Sequence, residues 1–328
     1  MQQGRKTFVR IDCPGRRSGW ILLLAATALL IFADGAFAWG SATHIDIASQ
    51  VLNQLGFIPA AIAVVLAKHT DAYLYGSVAA DVVFAKRMSR VKQFCHHWST
   101  GFKVLERAET PEGKAFAYGY LSHLAADTVA HGKYVPRQIA VTGSSMTFGH
   151  FYWEVRADGL EDSDTWKRLR TLLRQTHDPH HDLLAEQLRG TFLPYIINRR
   201  LFEGMNRTVS HPLPRLALDA LADYSRHELS PRLVRSYIEE SVDRTISLLQ
   251  KGDASLLLRE DPNGTAALMQ THVLRRDVKR RQRRGQESDQ LVREQAAGFV
   301  PQIRVRLSSN ESASADGAPA QALEAALP

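Results

Sequence analysis

Apolar residues recur at spacings of three and four along most of the chain after residue 39. The clearest segments are residues 44–55, 58–66, 104–120, 183–202 and 216–249. Such spacing places side chains on one face of an α-helix, whereas a half-buried strand needs strict alternation. We find no convincing alternating run and no strand–glycine loop–helix unit. The pattern therefore predicts an all-α fold, and internal repeats are not evident.

The N-terminal residues depart from this pattern. Residues 1–38 combine a basic leader, an apolar run from Ile21 to Phe32 and the small residues Ala36 and Ala38 on either side of Phe37. The run is shorter than the roughly 20 residues that a transmembrane helix needs. We predict a cleaved signal peptide, a mature chain that begins at Trp39, and a secreted or periplasmic protein. An uncleaved signal anchor is the alternative.

The C-terminal residues depart from it as well. Residues 275–284 hold seven basic side chains, and residues 308–328 are rich in Ser, Ala and Gly. The first segment predicts a solvated helical arm, with attraction to an anionic membrane surface or nucleic acid as the alternative. The second predicts a disordered tail. We therefore expect a signal peptide (1–38), one multi-helix domain (39–255), a basic helical extension (256–307) and a disordered tail (308–328).

Charge and cysteine content narrow the class of protein. Five of the 41 basic and two of the 34 acidic residues lie within residues 1–38, so the rest of the chain has a net charge of +4. Such a mild excess does not by itself indicate nucleic-acid binding. Beyond residue 38 the only cysteine is Cys95. The mature chain can therefore form neither an internal disulfide nor a cysteine-based zinc site.

Metal-competent side chains follow one another at helical spacing in the middle of the chain. His123, Asp127 and His131 are four residues apart, and His150 and Glu154 repeat this step. A step of four turns an α-helix by about 40°, so each set forms one stripe. The flanking residues are mostly apolar or small, and polar groups among them would be costly unless paired or metal-bound. Since imidazole and carboxylate are common zinc ligands, we prefer a metal site to salt-bridged pairs.

Further candidate ligands lie upstream. Asp81 stands among apolar residues, as a helix N-cap or a ligand, and Gly76 before it predicts a turn. His96 and His97 cannot share one helix face, so we expect one to bind metal. Cleavage after Ala38 would free the α-amino group of Trp39, which can close a chelate ring with its own carbonyl.

A second histidine-rich stretch, THDPHHD at residues 176–182, holds two His-Asp dipeptides that resemble those of HD-type phosphohydrolases. However, Pro179 interrupts the run and its surroundings are polar. We predict an exposed loop here.

Together these motifs resemble the zinc-dependent phospholipase C and P1/S1 nuclease superfamily, whose members are secreted, all-α enzymes with three zinc ions. The resemblance rests on the WG…H opening, the Asp of GSVAAD, a His followed by an aromatic residue, and the HxxxD…H…HxxxE run. It covers residues 39–154 in motif form and extends over the helices to about residue 250. It implies up to three Zn²⁺ per chain, with these ligands: Trp39, His44, Asp81, His97, His123, Asp127, His131, His150 and Glu154.

The resemblance also implies how these ligands divide. One zinc would use Asp81, His97, His123 and Asp127, a second would use His131, His150 and Glu154, and the third would use Trp39 and His44 and share Asp127. His97 is preferred to His96 because Trp98 follows it. Asp81 is the implied catalytic residue, which orients the attacking water or accepts its proton.

The implied function is a phosphodiester hydrolase of phospholipase C type, in which three zinc ions activate water for attack on phosphorus. Three Zn²⁺ and three carboxylates would leave a charge of about +3, which attracts a phosphodiester anion. A single-strand nuclease or 3′-nucleotidase is the alternative, favoured by the WG…H opening. A metal-containing helical protein that binds a membrane surface without catalysis is a third. The expected partner is a phospholipid or other phosphodiester substrate, and no protein partner is evident.

Overall fold

The computed structural model describes residues 39–83, 94–211 and 225–301. Within these ranges the chain forms helices and no strand, which confirms the all-α prediction. The α-helices are α1 (Ser41–Leu52), α2 (Ala60–Lys68), α3 (Thr70–Ala79), α4 (Trp98–Arg107), α5 (Pro111–Val129), α6 (Val135–Thr142), α7 (Phe148–Asp158), α8 (Ser163–Leu172), α9 (Asp178–Gln187), α10 (Tyr195–Val209), α11 (Pro231–Lys251), α12 (Thr265–Arg283) and α13 (Asp289–Ala297). The predicted signal peptide and disordered tail lie outside the described residues.

Helix α5 is the centre of the fold. It begins where the Thr110 side chain accepts a hydrogen bond from the Gly113 amide, with Pro111 in the first turn. Proline suits this position because the first amides of a helix have no intrahelical acceptor. Beyond its first turn the helix is buried almost all round, and it packs against α3, α4 and α11. A helix that is apolar on most faces must lie inside the protein, and this one carries His123 and Asp127 there.

Two glycines bring α3 and α5 into backbone contact. A Cβ atom at Gly76 would lie 2.0 Å from the Phe116 carbonyl oxygen, and one at Gly119 would lie 2.0 Å from that of Tyr73. The prediction of a turn at Gly76 is therefore wrong, since Gly76 lies within α3. Glycine is needed here because the helices approach too closely for a side chain.

A π-helix interrupts the regular stripe after Asp127. The α-helix ends at Val129, and Ala130–Tyr134 form a single π-turn that leads into α6. The expectation that one α-helix carries His131 on the stripe of His123 and Asp127 is therefore corrected. Pro136 accounts for the change, because it has no amide hydrogen for the carbonyl of Gly132 and its ring would clash there. The wider turn changes the direction of His131.

The histidine-rich stretch forms the start of α9 and buries its three histidines, so the prediction of an exposed loop is wrong. Pro179 lies in the first turn of α9, where proline is tolerated, and His177, His180 and His181 are buried. His177 stacks on Tyr75 with ring centroids 3.6 Å apart. The two ring nitrogens of His181 contact the hydroxyls of Tyr75 at 2.9 Å and Tyr195 at 2.7 Å. These histidines are part of the core.

The C-terminal helices pack back onto the domain. α11 lies against α1 and α5, while α12 packs on α6 and on the π-helix. Trp98 Nε1 donates to the Glu260 carbonyl oxygen at 2.8 Å, and the Asn263 side-chain amide donates to that of His96 at 3.2 Å. Among the described residues, no helix combines the length and apolar character that crossing a membrane requires.

We predict that Gly119→Ala lowers the free energy of unfolding by about 3 kcal/mol, because the added methyl overlaps the Tyr73 carbonyl. Gly204→Ala is the matched control. Gly204 lies within α10 with nothing near the site of a Cβ, so this change should stabilise the protein by about 0.5 kcal/mol. Denaturant unfolding of both variants measures the difference. Equal stability of Gly119→Ala and wild type would contradict the close helix contact.

We also predict that His181 makes the protein less stable in acid. Burial lowers the pKa of His181 to about 3, against 6.5 in the unfolded chain. Because the folded-state pKa is depressed, neutral His181 contributes to the free energy of unfolding. This contribution is complete above pH 6.5 and is lost as the pH falls toward 3. Between pH 6.5 and 5 the loss is about 2 kcal/mol. Urea unfolding at both pH values should show a smaller loss for His181→Gln. An equal loss in the two proteins would contradict the prediction.

Candidate metal centre

Four helical segments bring five metal-competent side chains together in the core. His44 comes from α1, Asp81 from the 3₁₀-helix Ala80–Val82, His96 from the 3₁₀-helix Phe94–His96, and His123 and Asp127 from α5. Each of these residues is at most 1% exposed. Burying so many polar groups together is costly unless they compensate one another or share a cation.

Asp127 lies between three imidazoles. Its Oδ1 is 3.3 Å from His44 Nε2, while its Oδ2 is 3.2 Å from His96 Nε2 and 3.1 Å from His123 Nε2. The two carboxylate oxygens therefore face different ligand candidates. Asp81 completes the group, with Oδ1 3.2 Å from His96 Nε2 and Oδ2 3.9 Å from His123 Nε2.

Hydrogen bonds that involve the backbone hold His123 and His96 in place. His123 Nδ1 donates to the Ser77 carbonyl oxygen at 2.9 Å, which directs Nε2 toward Asp127. His96 Nε2 lies 3.2 Å from His123 Nε2. Asn263 donates to the His96 carbonyl and is itself oriented by Asp261 Oδ1 at 3.0 Å.

The protonation states suit a cation. Burial lowers the pKa of His44, which favours the neutral imidazole that binds metal. Burial alone would raise the pKa of Asp127, but His123, His44 and His96 hold it well below the usual range, so it is an anion at neutral pH. The donor set is therefore the one that zinc prefers, neutral nitrogen with carboxylate oxygen.

Buried polar atoms without hydrogen bonds also indicate a cation site. His44 Nε2 and both Asp127 carboxylate oxygens are buried, and none of them makes a hydrogen bond. In the described part of the chain, two groups have ligand atoms within 4.8 Å of one another: His44, Asp81 and His123, and His96, His123 and Asp127. These residues fit divalent zinc, because a cation would bind buried oxygen and nitrogen atoms that otherwise make no hydrogen bond.

The second predicted ligand group consists of His131, His150 and Glu154 and lies beside the first. His131 and His150 have ring centroids 4.9 Å apart, and His150 Nε2 is 2.9 Å from Glu154 Oε1 on α7. His131 in turn lies 6.5 Å from His96, centroid to centroid. The structure thus places His131, His150 and Glu154 side by side and next to the first group. Their role as zinc ligands stays a prediction.

Trp39 lies directly before α1, with its side chain buried. Its ring stacks on Tyr134 with centroids 4.7 Å apart, and its Nε1 donates to Ser241 Oγ at 3.3 Å. These contacts hold the residue against α11 and the π-helix. The proposed ligand is its free amino group, which depends on cleavage after Ala38 and stays a prediction.

Of the two adjacent histidines, the structure places His96 and not the predicted His97 beside the acids. His96 is buried within 3.2 Å of both acids, whereas His97 is exposed and precedes α4 as its N-cap residue. The physical reason is the 3₁₀-helix Phe94–His96, which turns His96 inward and leaves His97 pointing away. We therefore replace His97 by His96 in the candidate ligand set.

Asp158 is a residue of this region that the sequence analysis missed. Its carboxylate accepts hydrogen bonds from the Ala42 amide at 3.3 Å and from the Thr43 amide at 2.9 Å, so it caps α1 beside His44. Burial raises its pKa to about 6. The signal was present in the sequence, since Asp158 follows His150 and Glu154 at the same step of four. Asn263 had no comparable signal, because its contact joins residues 167 positions apart.

The fold and the buried cluster define an all-α protein with a candidate metal centre. A family model described as zinc dependent phospholipase C matches residues 43–196, a little under half of the chain. Over this segment the chain is similar to the zinc-dependent phospholipase C family, which confirms the resemblance to the phospholipase C and P1/S1 nuclease superfamily. No curated protein and no solved structure gives a significant match.

We predict that His96→Ala removes metal from the first group, whereas His97→Ala leaves the zinc content unchanged. The two variants delete the same side chain at adjacent positions, so each is the control for the other. Zinc per chain, measured by atomic emission after gel filtration, decides between them. Loss of zinc in His97→Ala with retention in His96→Ala would show that His97 is the ligand, as the sequence predicts.

Proposed function

We propose that this protein is a secreted zinc-dependent phosphodiester hydrolase of phospholipase C type. The observation that carries the proposal is the buried group of His44, Asp81, His96, His123 and Asp127, within a segment that matches the zinc dependent phospholipase C family. The family supports hydrolase chemistry on a phospholipid or other phosphodiester. Up to three Zn²⁺ per chain, with the ligands named above and His96 in place of His97, is part of the proposal.

Zinc bound at such a site supplies a Lewis acid and lowers the pKa of water toward 7. The protein supplies position and charge. Ser77 holds the His123 ring in one tautomer, and Asn263 holds the backbone of His96. Asp81 is the proposed catalytic residue, because its carboxylate borders both imidazoles and can orient a water or hold its proton.

Asp127 is the proposed bridging ligand. One of its oxygens faces His44 and the other faces His96 and His123, so one carboxylate can serve two metals. The third metal would add the Trp39 amino group. That group exists only if the signal peptide is cleaved after Ala38, so a complete site depends on this cleavage.

A single-strand nuclease remains the second candidate, and one observation favours it. Phe148 lies two residues before His150 and is 57% exposed. An exposed ring on the helix that also carries His150 and Glu154 could stack on an unpaired base. Trp153 is fully buried and Tyr152 bonds to Ser225, so these two aromatics are part of the packing.

We predict that the purified mature protein releases phosphorylated headgroup from phospholipid, and that a zinc chelator abolishes the release. Asp127→Ala should lower activity by at least a thousandfold and remove at least one zinc, because more than one metal loses a ligand. Asp182→Ala is the control, since Asp182 is an exposed carboxylate on α9. N-terminal sequencing should give Trp39.

Single-stranded DNA assayed in parallel separates the two candidates. Cleavage of DNA without headgroup release would favour the nuclease. Absence of both activities in zinc-loaded protein would contradict the hydrolase proposal, and full zinc content in Asp127→Ala would contradict the bridging role.

A further inference from the structure

One face of α12 is exposed along its whole length and changes character midway. Steps of three and four place Met269, Val273, Arg276, Arg280 and Arg283 on this face. The opposite face carries Thr271 and Leu274, which are buried where α12 packs on α6 and the π-helix. The stripe therefore points away from the domain.

The C-terminal half of the stripe is strongly cationic. Arg276, Lys279, Arg280, Arg283 and Arg284 line a single surface pocket. Within residues 276–284 the only acidic side chain is Asp277, which pairs with Arg280 at 3.2 Å. A positive field of this density on one helix face selects an anionic partner.

The N-terminal half of the stripe is apolar. Met269 is 65% exposed and Val273 is 52% exposed. A solvated charged helix has no need of large apolar side chains on the same face. Helices that lie in a membrane interface combine these two features, because apolar side chains enter the acyl boundary while Lys and Arg contact lipid phosphates.

We propose that the exposed stripe of α12 docks the protein on an anionic phospholipid surface. The occupant is the surface of a bilayer and not a nucleic-acid backbone, because phosphodiester chains in water offer nothing for Met269 and Val273 to enter. This inference goes beyond the proposed hydrolysis and does not require it.

The N-terminal end of α12 lies against His131, a candidate ligand of the metal centre. Gly264, the residue before α12, has a left-handed backbone with φ of +58°, and a Cβ there would lie 2.2 Å from the His131 carbonyl oxygen. Met269 follows little more than one helical turn later. Docking through α12 would therefore bring the wall of the metal centre close to the lipid headgroups.

Vesicle co-sedimentation tests the proposal on the full purified protein. Vesicles of phosphatidylcholine alone are compared with vesicles in which about a third of the lipid is phosphatidylglycerol. We expect binding to the anionic vesicles only, with a strong decrease at about 0.5 M salt. Wild-type protein that fails to sediment with anionic vesicles would overturn the proposal.

Two sets of substitutions make the test specific to the stripe. Arg276→Gln, Lys279→Gln and Arg283→Gln together should weaken binding on the order of a hundredfold. The control combines Lys167→Gln, Arg168→Gln and Arg174→Gln, which remove the same charge from exposed positions on and just after α8 and should leave binding unchanged. Met269→Ser with Val273→Ser should weaken binding several-fold at both salt concentrations. Equal effects of the stripe and control sets would overturn the proposal.

Headgroup release measured in the same samples separates this surface from the proposed function. Binding without release would leave the docking surface standing while the hydrolase proposal fails. Release from dispersed short-chain lipid without vesicle binding would do the reverse. Capture of the protein by a short DNA duplex but not by anionic vesicles would replace the membrane by nucleic acid as the partner.

Discussion

The structure is organised around the enclosure of two carboxylates and three imidazoles in a space that excludes water. Asp81 and Asp127 each place a carboxylate oxygen 3.2 Å from His96 Nε2, so the two acids compete for one imidazole nitrogen in the core. A divalent cation removes this conflict. The close packing of α3 on α5 has the same origin, since only glycine at positions 76 and 119 lets Ser77 reach the ring of His123.

Much of this centre could be predicted from the sequence because its spacing is local. The step of four between His123 and Asp127, and between His150 and Glu154, depends only on helix geometry. The all-α fold follows from the same periodicity. The choice between His96 and His97 could not be made from spacing alone. His96 turns inward because of a short 3₁₀-helix, and nothing in the dipeptide itself shows which ring that turn selects.

His177, His180 and His181 show why local composition does not determine burial. Residues 176–182 look polar, yet Tyr75 and Phe116 cover three of their rings from other helices. Burial of a polar residue is decided by its partners, and these are separated from it by many residues. The prediction of a turn at Gly76 failed for the same reason. Glycine is typical of turns, but here its missing side chain serves helix packing, which only the position of α5 reveals.

The turn before α12 lies outside the segment that matches the family, yet it touches two ligand candidates. Asn263 donates to the backbone of His96, and Gly264 lies against His131. Metal binding that orders these histidines would therefore also order the turn. By thermodynamic linkage, ordering the turn would favour metal binding to the same extent. A surface that immobilises α12 would raise the affinity for metal, and loss of metal would make α12 less ordered.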